Sequence, residues 1–418
     1  MARERPSAAL VVSLRSSDHV IVVGAGVAGW RFVEFLRLDG FGGAITLIGD
    51  EPHAPYDRPP LSKQVLSGRW APDKATLATP EKLAESLAAV LLGERAVALD
   101  VEAMAVELAS GTRIEGTHVV IATGARARAL SYESSGELLT LRTYDDVVRL
   151  RGALEKLSPE SVVGVIGGGF LGAEAATSIK ARGLVPIVLE AAERPLITVL
   201  GDDASAWLML VPQAAEIDLR TNQRIRDVVI SERGATIVLE DGEAIEASAV
   251  LASVGSAVET DWLVTSGLTI DDGVVVDHNF EAAPHIGAIG DIARFPLPGV
   301  EGDELVRIEH WQVAVEQAIE LAHYWTSGNA STTRMIPYFW SDQMGKKIQL
   351  LGHPHPSDEV TLVSGSPEEL KWVAIYARGG LVTGVVALSN PRGLTKSRVL
   401  LDDVTTLEDA LLLAPWSE

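Results

Sequence analysis

Apolar residues follow two rhythms along this chain, and the places where one gives way to the other mark its elements. Unbroken aliphatic runs such as Val20–Val23 and "AITLIG" (44–49) have the length and branching of strands buried on both faces. Between them, "GVAGWRFVEFLR" spaces its apolar positions as one face of a helix. The same order returns at Val162–Ile166, a helical "FLGAEAATSIK" and "PIVLE" (186–190). Further on, "AVELASGTRIEGTHVVIATGA" and "ATIVLEDGEAIEASAVLASVGS" alternate as hairpins before a last apolar strand. The chain therefore reads as one βαβ plan written twice, followed by a carboxy-terminal α+β segment.

At each switch from strand to helix stands a glycine triplet: Gly24-x-Gly26-x-x-Gly29, then Gly167-x-Gly169-x-x-Gly172. A lone GxGxxG is weak. Two copies, each following a strand and opening a helix, predict two dinucleotide sites. The first glycine makes the tight turn, the second lets backbone approach a pyrophosphate, and the third lets helix pack on strand. Asp50 and Glu51 close the strand after the first triplet, and Glu190 closes the strand after the second. A ribose-binding carboxylate belongs at about that spacing, roughly 20 residues on. At Glu190 it favours NADH by repelling a 2′-phosphate, although Arg194 nearby is the residue type that accommodates one.

Composition narrows the chemistry. Among 418 residues, 35 Lys+Arg face 57 Asp+Glu, a formal charge of −22, which argues against nucleic acid as a partner. No apolar run approaches the roughly 18 residues that span a bilayer, so no membrane is expected and the cytoplasm is the expected location. Residues 1–18 read as a flexible extension ahead of the fold. Cysteine is absent, which removes disulfides, a CxxC redox pair and cysteine-held iron–sulfur clusters. The pair His353/His355 in "GHPHP" is poor metal ligation and reads as a loop, so no metal is expected.

The segments "VIVVGAGVAG", "PYDRPPLSK", "IATGA", "VIGGGFLGAE", "IGAIGD", "RIEHWQVAVEQA" and "PYFWSDQMGKKIQLLG" occur in the order found in one family. From His19 onward the chain resembles the FAD-containing, NADH-dependent ferredoxin reductases of bacterial Rieske-type oxygenases and haem monooxygenases. The resemblance implies a glutathione-reductase-like fold with two Rossmann-like domains: an FAD domain over 19–135 and 256–328, an NAD domain over 136–255, and a carboxy-terminal domain over 329–418. It implies FAD on the first glycine loop, with Arg58, Ala122, Thr123 and Gly124 in the FAD site and Asp291 on the ribityl chain, just before a helix. Electrons would pass from NADH through FAD to a [2Fe–2S] ferredoxin, by a monomer or a homodimer.

By the same resemblance Lys63 lies near the flavin, paired with Glu174. Pro59 and Pro60 stiffen the approach to Lys63, and "LS" is expected to open a helix. Glu174 occupies the first turn of its helix, where an acid is favourable without any partner. Trp311 and Trp340 are expected beside the flavin by motif context; with nine tryptophans in the chain, core packing is the default for any single one. Two departures from the family pattern stand out: Val313 where HWQN is common, and "SVGSAVE" where Pro-Asn usually follows a glycine. Lys346, Lys347, Arg392, Lys396 and Arg398 are candidates for docking an acidic ferredoxin, against the simpler reading of solvated charge. An NADH oxidase or quinone-type reductase, and an interaction protein in the manner of apoptosis-inducing factor, are the alternatives on the same fold.

Overall fold

In the computed structural model, residues 13–132, 134–232, 234–299, 302–330 and 334–417 are described. The expected extension over residues 1–18 falls outside them up to residue 12. From Leu14 the chain is tied down. The Leu14 N–H donates to the Trp325 carbonyl (2.8 Å), and Asp18 closes a turn on the Arg15 N–H (2.7 Å). The fold thus begins a few residues earlier than the sequence pattern indicated, because an anchoring hydrogen bond carries no periodicity.

The first aliphatic run forms the strand His19–Val23, flanked in parallel by Ala44–Gly49 and His118–Ile121, with Val23 level with both Ile48 and Ile121. The complete sheet runs 281–283, 286–288, 118–121, 19–23, 44–49, 89–92 in space. Residues 281–288 therefore rejoin this sheet after the whole second unit has been made. The second sheet has the order 218–220, 185–189, 162–166, 249–252, all parallel, which is the arrangement of a nucleotide-binding half. Each half carries a three-stranded antiparallel meander, over 96–115 and over 225–247. The outgoing strand Ala125–Ala127 pairs antiparallel with the returning Ser256–Val258, so the two crossings between halves brace each other.

Helix Val27–Leu38 buries Trp30, Phe32, Val33 and Leu36 against the long helix Trp311–Ser327, where Phe32 meets Trp325 edge to face at 5.6 Å. Arg37 ends the first helix by donating to the carbonyls of Ser86 (2.7 Å), Phe41 (2.6 Å) and Gly43 (2.9 Å). The carboxy-terminal unit is a five-stranded antiparallel sheet in the order 338–343, 346–352, 381–388, 371–378, 359–366, with the helices Pro391–Ser397 and Leu407–Leu413 after it. Among the described residues no helix is long and apolar enough to cross a membrane.

Two local expectations are corrected. Asp291 precedes a strand, not a helix: it sits in the turn Gly290–Ile292, and Ala293–Gly299 then pairs with Gly302–Arg307. Pro296 and Pro298 lie within that segment and exclude a helix there. The "LS" segment does turn helically, but only as the five-residue π-turn Leu61–Val65, in which the Val65 and Leu66 N–H groups donate to the carbonyls five residues back (both 3.0 Å).

His118, in the first sheet, lies against His285 and Trp325, and burial pushes its imidazole down to about 4. The folded state then binds fewer protons than the unfolded chain below the ordinary value near 6.5. Its contribution to stability is present above about pH 6.5 and is lost as the pH falls towards 4. His118→Gln is therefore expected to flatten the fall in melting temperature between pH 7.5 and pH 5. An unchanged slope would exclude His118 as its source.

Candidate active site

The two glycine loops are built alike in their hydrogen bonds and close approaches. Gly24 donates its N–H to Ile48 and Gly167 to Leu189, both at 2.8 Å, and both take positive φ (+117° and +102°). A Cβ on Gly24 would stand 2.1 Å from the Ala122 carbonyl oxygen, and one on Gly167 would stand 2.2 Å from that of Ser253. Gly29 and Gly172 would each meet the leading glycine's carbonyl at 2.0 Å. Gly26 and Gly169 face open space, and neither helix that follows, Val27–Leu38 or Phe170–Lys180, has a side-chain cap. Each loop thus presents uncapped N–H groups and a helix's positive end to an open cradle, a ready anion site.

The halves differ at the strand end. Register places Glu190 level with Gly49, so Asp50 and Glu51 come one and two residues later than their counterpart. The cause is steric: a Cβ at Gly49 would lie 2.7 Å from that of Ala25. Glu51 accepts from the Tyr56 hydroxyl (2.7 Å) and Arg58 (3.3 Å), while Asp50 is exposed. Glu190 accepts from the backbone N–H groups of Gly168 (2.7 Å) and Ala192 (2.8 Å). Arg194 is committed to Asp202 and Glu193.

Over the first loop lies an open cleft that encloses about 1030 Å³ when the solvent space at its mouth is counted. Its lining includes Gly24, Gly26, Asp50, Glu51, Ala122, Thr123 and Gly124. Gly29 instead packs against the loop itself. The cleft continues past Val27, Tyr56, Arg58, Arg142, Asp291 and Ala314 into a second cavity lined by Lys63, Glu174, Phe170, Glu309, Trp311 and Trp340. Where the two meet, Asp291 is ion-paired with Arg142 and Gly290 donates to Gln317 (2.7 Å). Open cradle, uncapped helix end and unbroken cleft together fit an extended dinucleotide such as FAD.

Lys63 and Glu174 meet at the inner end, with Nζ 2.8 Å from Oε1 and both side chains nearly buried. Ser62 and Ser341 each donate to the same carboxylate at 2.6 Å. Trp311 and Trp340 stand edge to face at 6.3 Å, and Trp340 stacks on Tyr338. The Trp311 indole N–H donates to Asp57 (2.8 Å), whose carboxyl burial pushes up against that pull. Beside them, burial and then the charge of His353 hold His310 down at about 4, a neutral imidazole at ordinary pH. Val313, at the departure from HWQN, is fully buried in the first core, and Ser256 of "SVGSAVE" donates to Glu309. Lys347 pairs with Asp342 at 3.3 Å, while Arg392 and Lys396 are exposed on the helix Pro391–Ser397. Among the described residues no His, Cys, Asp and Glu group is arranged to hold a metal ion. Sequence reasoning missed Ser62, Ser341, Arg142 and Asp57; the serines and Asp57 sit inside motifs singled out for other residues.

Two glycine loops built alike, with a charged, tryptophan-lined cavity at the end of the first one's cleft and against the helix that follows the second, fit an oxidoreductase of two dinucleotides. The chain belongs to the pyridine nucleotide-disulphide oxidoreductase family, whose model matches residues 18–318, and residues 338–417 match the reductase carboxy-terminal family. It is 34% identical to rhodocoxin reductase of Rhodococcus erythropolis, over 91% of this chain and 89% of that one. It is 32% identical to the ferredoxin–NAD(+) reductase subunit of the benzene 1,2-dioxygenase system of Pseudomonas putida, over 94% of each. The covalent putidaredoxin reductase–putidaredoxin complex contains a chain of the same fold (TM-score 0.86, 28% identity), covering 97% of this chain and 100% of that one. Members of the family bind FAD and use NADH.

The loop geometry separates the glycines by role. Gly24→Ala and Gly167→Ala each place a Cβ into backbone at positive φ, and each is expected to lose more than about 2 kcal/mol in urea denaturation. Gly26→Ala and Gly169→Ala are expected to unfold within about 0.5 kcal/mol of the parent. Equal losses at all four would remove the distinction.

Proposed function

We propose that the chain is an NADH-dependent ferredoxin reductase working in the cytoplasm, where NADH is supplied. FAD lies along the first loop and its cleft, held by residues 19–135 and 256–328. NADH lies on the second loop, within 136–255, and residues 329–418 close the inner cavity. The electron acceptor is a [2Fe–2S] ferredoxin serving a Rieske-type oxygenase or haem monooxygenase, in keeping with the systems named for the relatives above.

One observation carries this reading: a nearly buried lysine held by a carboxylate from the second unit, at the inner end of a cleft that begins on the first glycine loop. A bound flavin supplies the ability to take electrons in pairs and release them singly. The protein's part is orientation and charge. The amides around Gly24 and Gly26 receive a pyrophosphate, with Arg58 and Arg142 adding positive charge along the cleft. Asp50, Glu51 and Asp291 face sugar and ribityl hydroxyls, while Ala122, Thr123 and Gly124 form the cleft wall. Lys63 stabilises negative charge gathered at the inner end, worth most where water is excluded. Glu174 directs that ammonium, and Trp311 and Trp340 present indole faces to flat rings. Glu190 is placed for a ribose 2′-hydroxyl, and because Arg194 already serves Asp202 and Glu193, NADH is favoured over NADPH. With no cysteine in the chain, electrons do not pass through a thiol pair. They leave to an external acceptor.

Anaerobic titration of the purified protein with NADH is expected to bleach a yellow flavin, and an added [2Fe–2S] ferredoxin is expected to reoxidise it faster than air does. A colourless protein would sink the reading; faster reoxidation by oxygen or a quinone would turn it towards an oxidase or quinone reductase. Lys63→Ala should retain FAD and slow bleaching by about 100-fold, the scale set by losing one preorganised charge partner. Reversing Lys346 and Lys347 to Glu should weaken ferredoxin reduction about tenfold and leave ferricyanide reduction by NADH unchanged. Equal effects on both acceptors would move docking elsewhere.

A further inference from the structure

Glu174 is 5% exposed, and its carboxylate is held by two chain segments that are far apart in sequence, the turn 61–65 and the strand 338–343. Ser62, on the π-turn, donates to Oε2 at 2.6 Å. Ser341, on the first strand of the carboxy-terminal sheet, donates to Oε1 at 2.6 Å, and Lys63 reaches the same oxygen at 2.8 Å. Both serines are buried, Ser341 fully. A hydroxyl has one proton to give, and each serine spends it on Glu174. Gln343 donates to the Ser341 oxygen (3.2 Å), which turns its hydroxyl hydrogen towards the carboxylate. On the other side Ser178 donates to the carbonyls of Ser62 (2.6 Å) and Lys63 (3.2 Å), fastening the π-turn to the helix that carries Glu174. Thr177, one residue earlier, accepts from the Met344 N–H (2.8 Å) and fastens the carboxy-terminal hairpin to the same helix.

Lys63 has little else to hold. Its other hydrogen bond, to the Pro59 carbonyl, is 3.4 Å long. The ammonium therefore stands where Glu174 stands, and Glu174 stands where two hydroxyls from opposite sides pin its oxygens. We propose that Ser62 and Ser341 are positioning residues that clamp the Glu174 carboxylate, so that it holds the Lys63 ammonium towards the inner cavity and makes the carboxy-terminal sheet a working part of the nucleotide site. The inference rests on the cavity's being the place where flavin and nicotinamide meet.

The test uses the FAD-loaded protein carrying Ser62→Ala, Ser341→Ala and both changes, in the parent and in a Glu174→Gln background. Two quantities are read, the rate of flavin bleaching by NADH and the flavin midpoint potential against a reference dye, with flavin content and melting temperature as controls for folding. Two lost hydrogen bonds to a charged group should slow bleaching by about tenfold or more. They should also shift the midpoint potential to more negative values, because a wandering cation stabilises the reduced state less. In the Glu174→Gln background the same alanines should change neither reading further, and Ser341→Thr, which keeps the hydroxyl, should restore most of the rate. Unchanged rate and potential in the double variant overturn the clamp, as do serine effects equally large without Glu174. If Ser341→Ala does not fold, Ser62→Ala with and without Glu174→Gln decides alone, since Ser62 holds the other oxygen. A parent protein that binds no flavin overturns the reading beneath the clamp; a parent that bleaches normally beside unaltered variants overturns the clamp only.

Discussion

A buried carboxylate must be answered, and in this protein the answer dictates how three parts of the chain meet. Taking an ion such as Glu174 out of water costs several kcal/mol, repaid only when its partners are close and its lone pairs satisfied. Those partners come from the turn at 61–65 and from the strand 338–343, and Ser178 on the helix 170–180 fastens that turn by donating to its carbonyls. Moving any one of these segments by an ångström or two would leave a charge or a hydroxyl unpaired in a dry interior. The two nucleotide halves and the carboxy-terminal sheet are therefore held in one relative placement by polar chemistry as well as by their apolar contacts. That placement is what joins the cleft over the first loop to the cavity at its end.

The glycine loops add a constraint of another kind. Backbone carbonyls at about 2 Å from where a Cβ would lie leave no choice at Gly24, Gly29, Gly167 and Gly172, so both copies keep the same residue for the same steric reason. Around that fixed turn the copies are free to differ. The second carries Glu190 at the strand end; the first crowds that place with Ala25 and shifts its acids to positions 50 and 51. One scaffold thus carries two unlike acidic strand ends beside its glycine loops.

What could be read from the sequence was whatever is local. Strand, glycine turn and helix are specified within about 30 residues, and both copies were legible with their meanders, down to which glycine turns and which stays open. The helix expected after Asp291 was misjudged because that stretch is decided by Pro296 and Pro298, further along the chain than a strand-to-helix pattern inspects. The π-turn at 61–65 looks in sequence like any helix start, since five-residue hydrogen bonding has no signature of its own. Arg142 with Asp291, and Ser62 and Ser341 with Glu174, join residues more than a hundred positions apart. No period connects them. The pairing of Lys63 with Glu174 was legible only because a family resemblance set the two motifs side by side.

Strand geometry explains how one short segment serves both the clamp and the cavity. Side chains alternate across a strand, so Phe339 and Ser341 share one face of 338–343 while Tyr338 and Trp340 share the other. The first pair meets the helix 170–180, Phe339 against Phe170 at 4.5 Å and Ser341 on Glu174. Residues 170 and 174 are themselves one helical turn apart on a single face, which matches the two-residue spacing of the strand lying against them. The second pair stacks at 17° between ring planes and brings Trp340 to Trp311. A one-residue slip of this strand would turn Trp340 towards the helix and Ser341 away from Glu174, undoing both arrangements together. Register in the carboxy-terminal sheet is therefore under the same constraint as the buried ion pair, which is why a unit outside both nucleotide-binding halves belongs to the site.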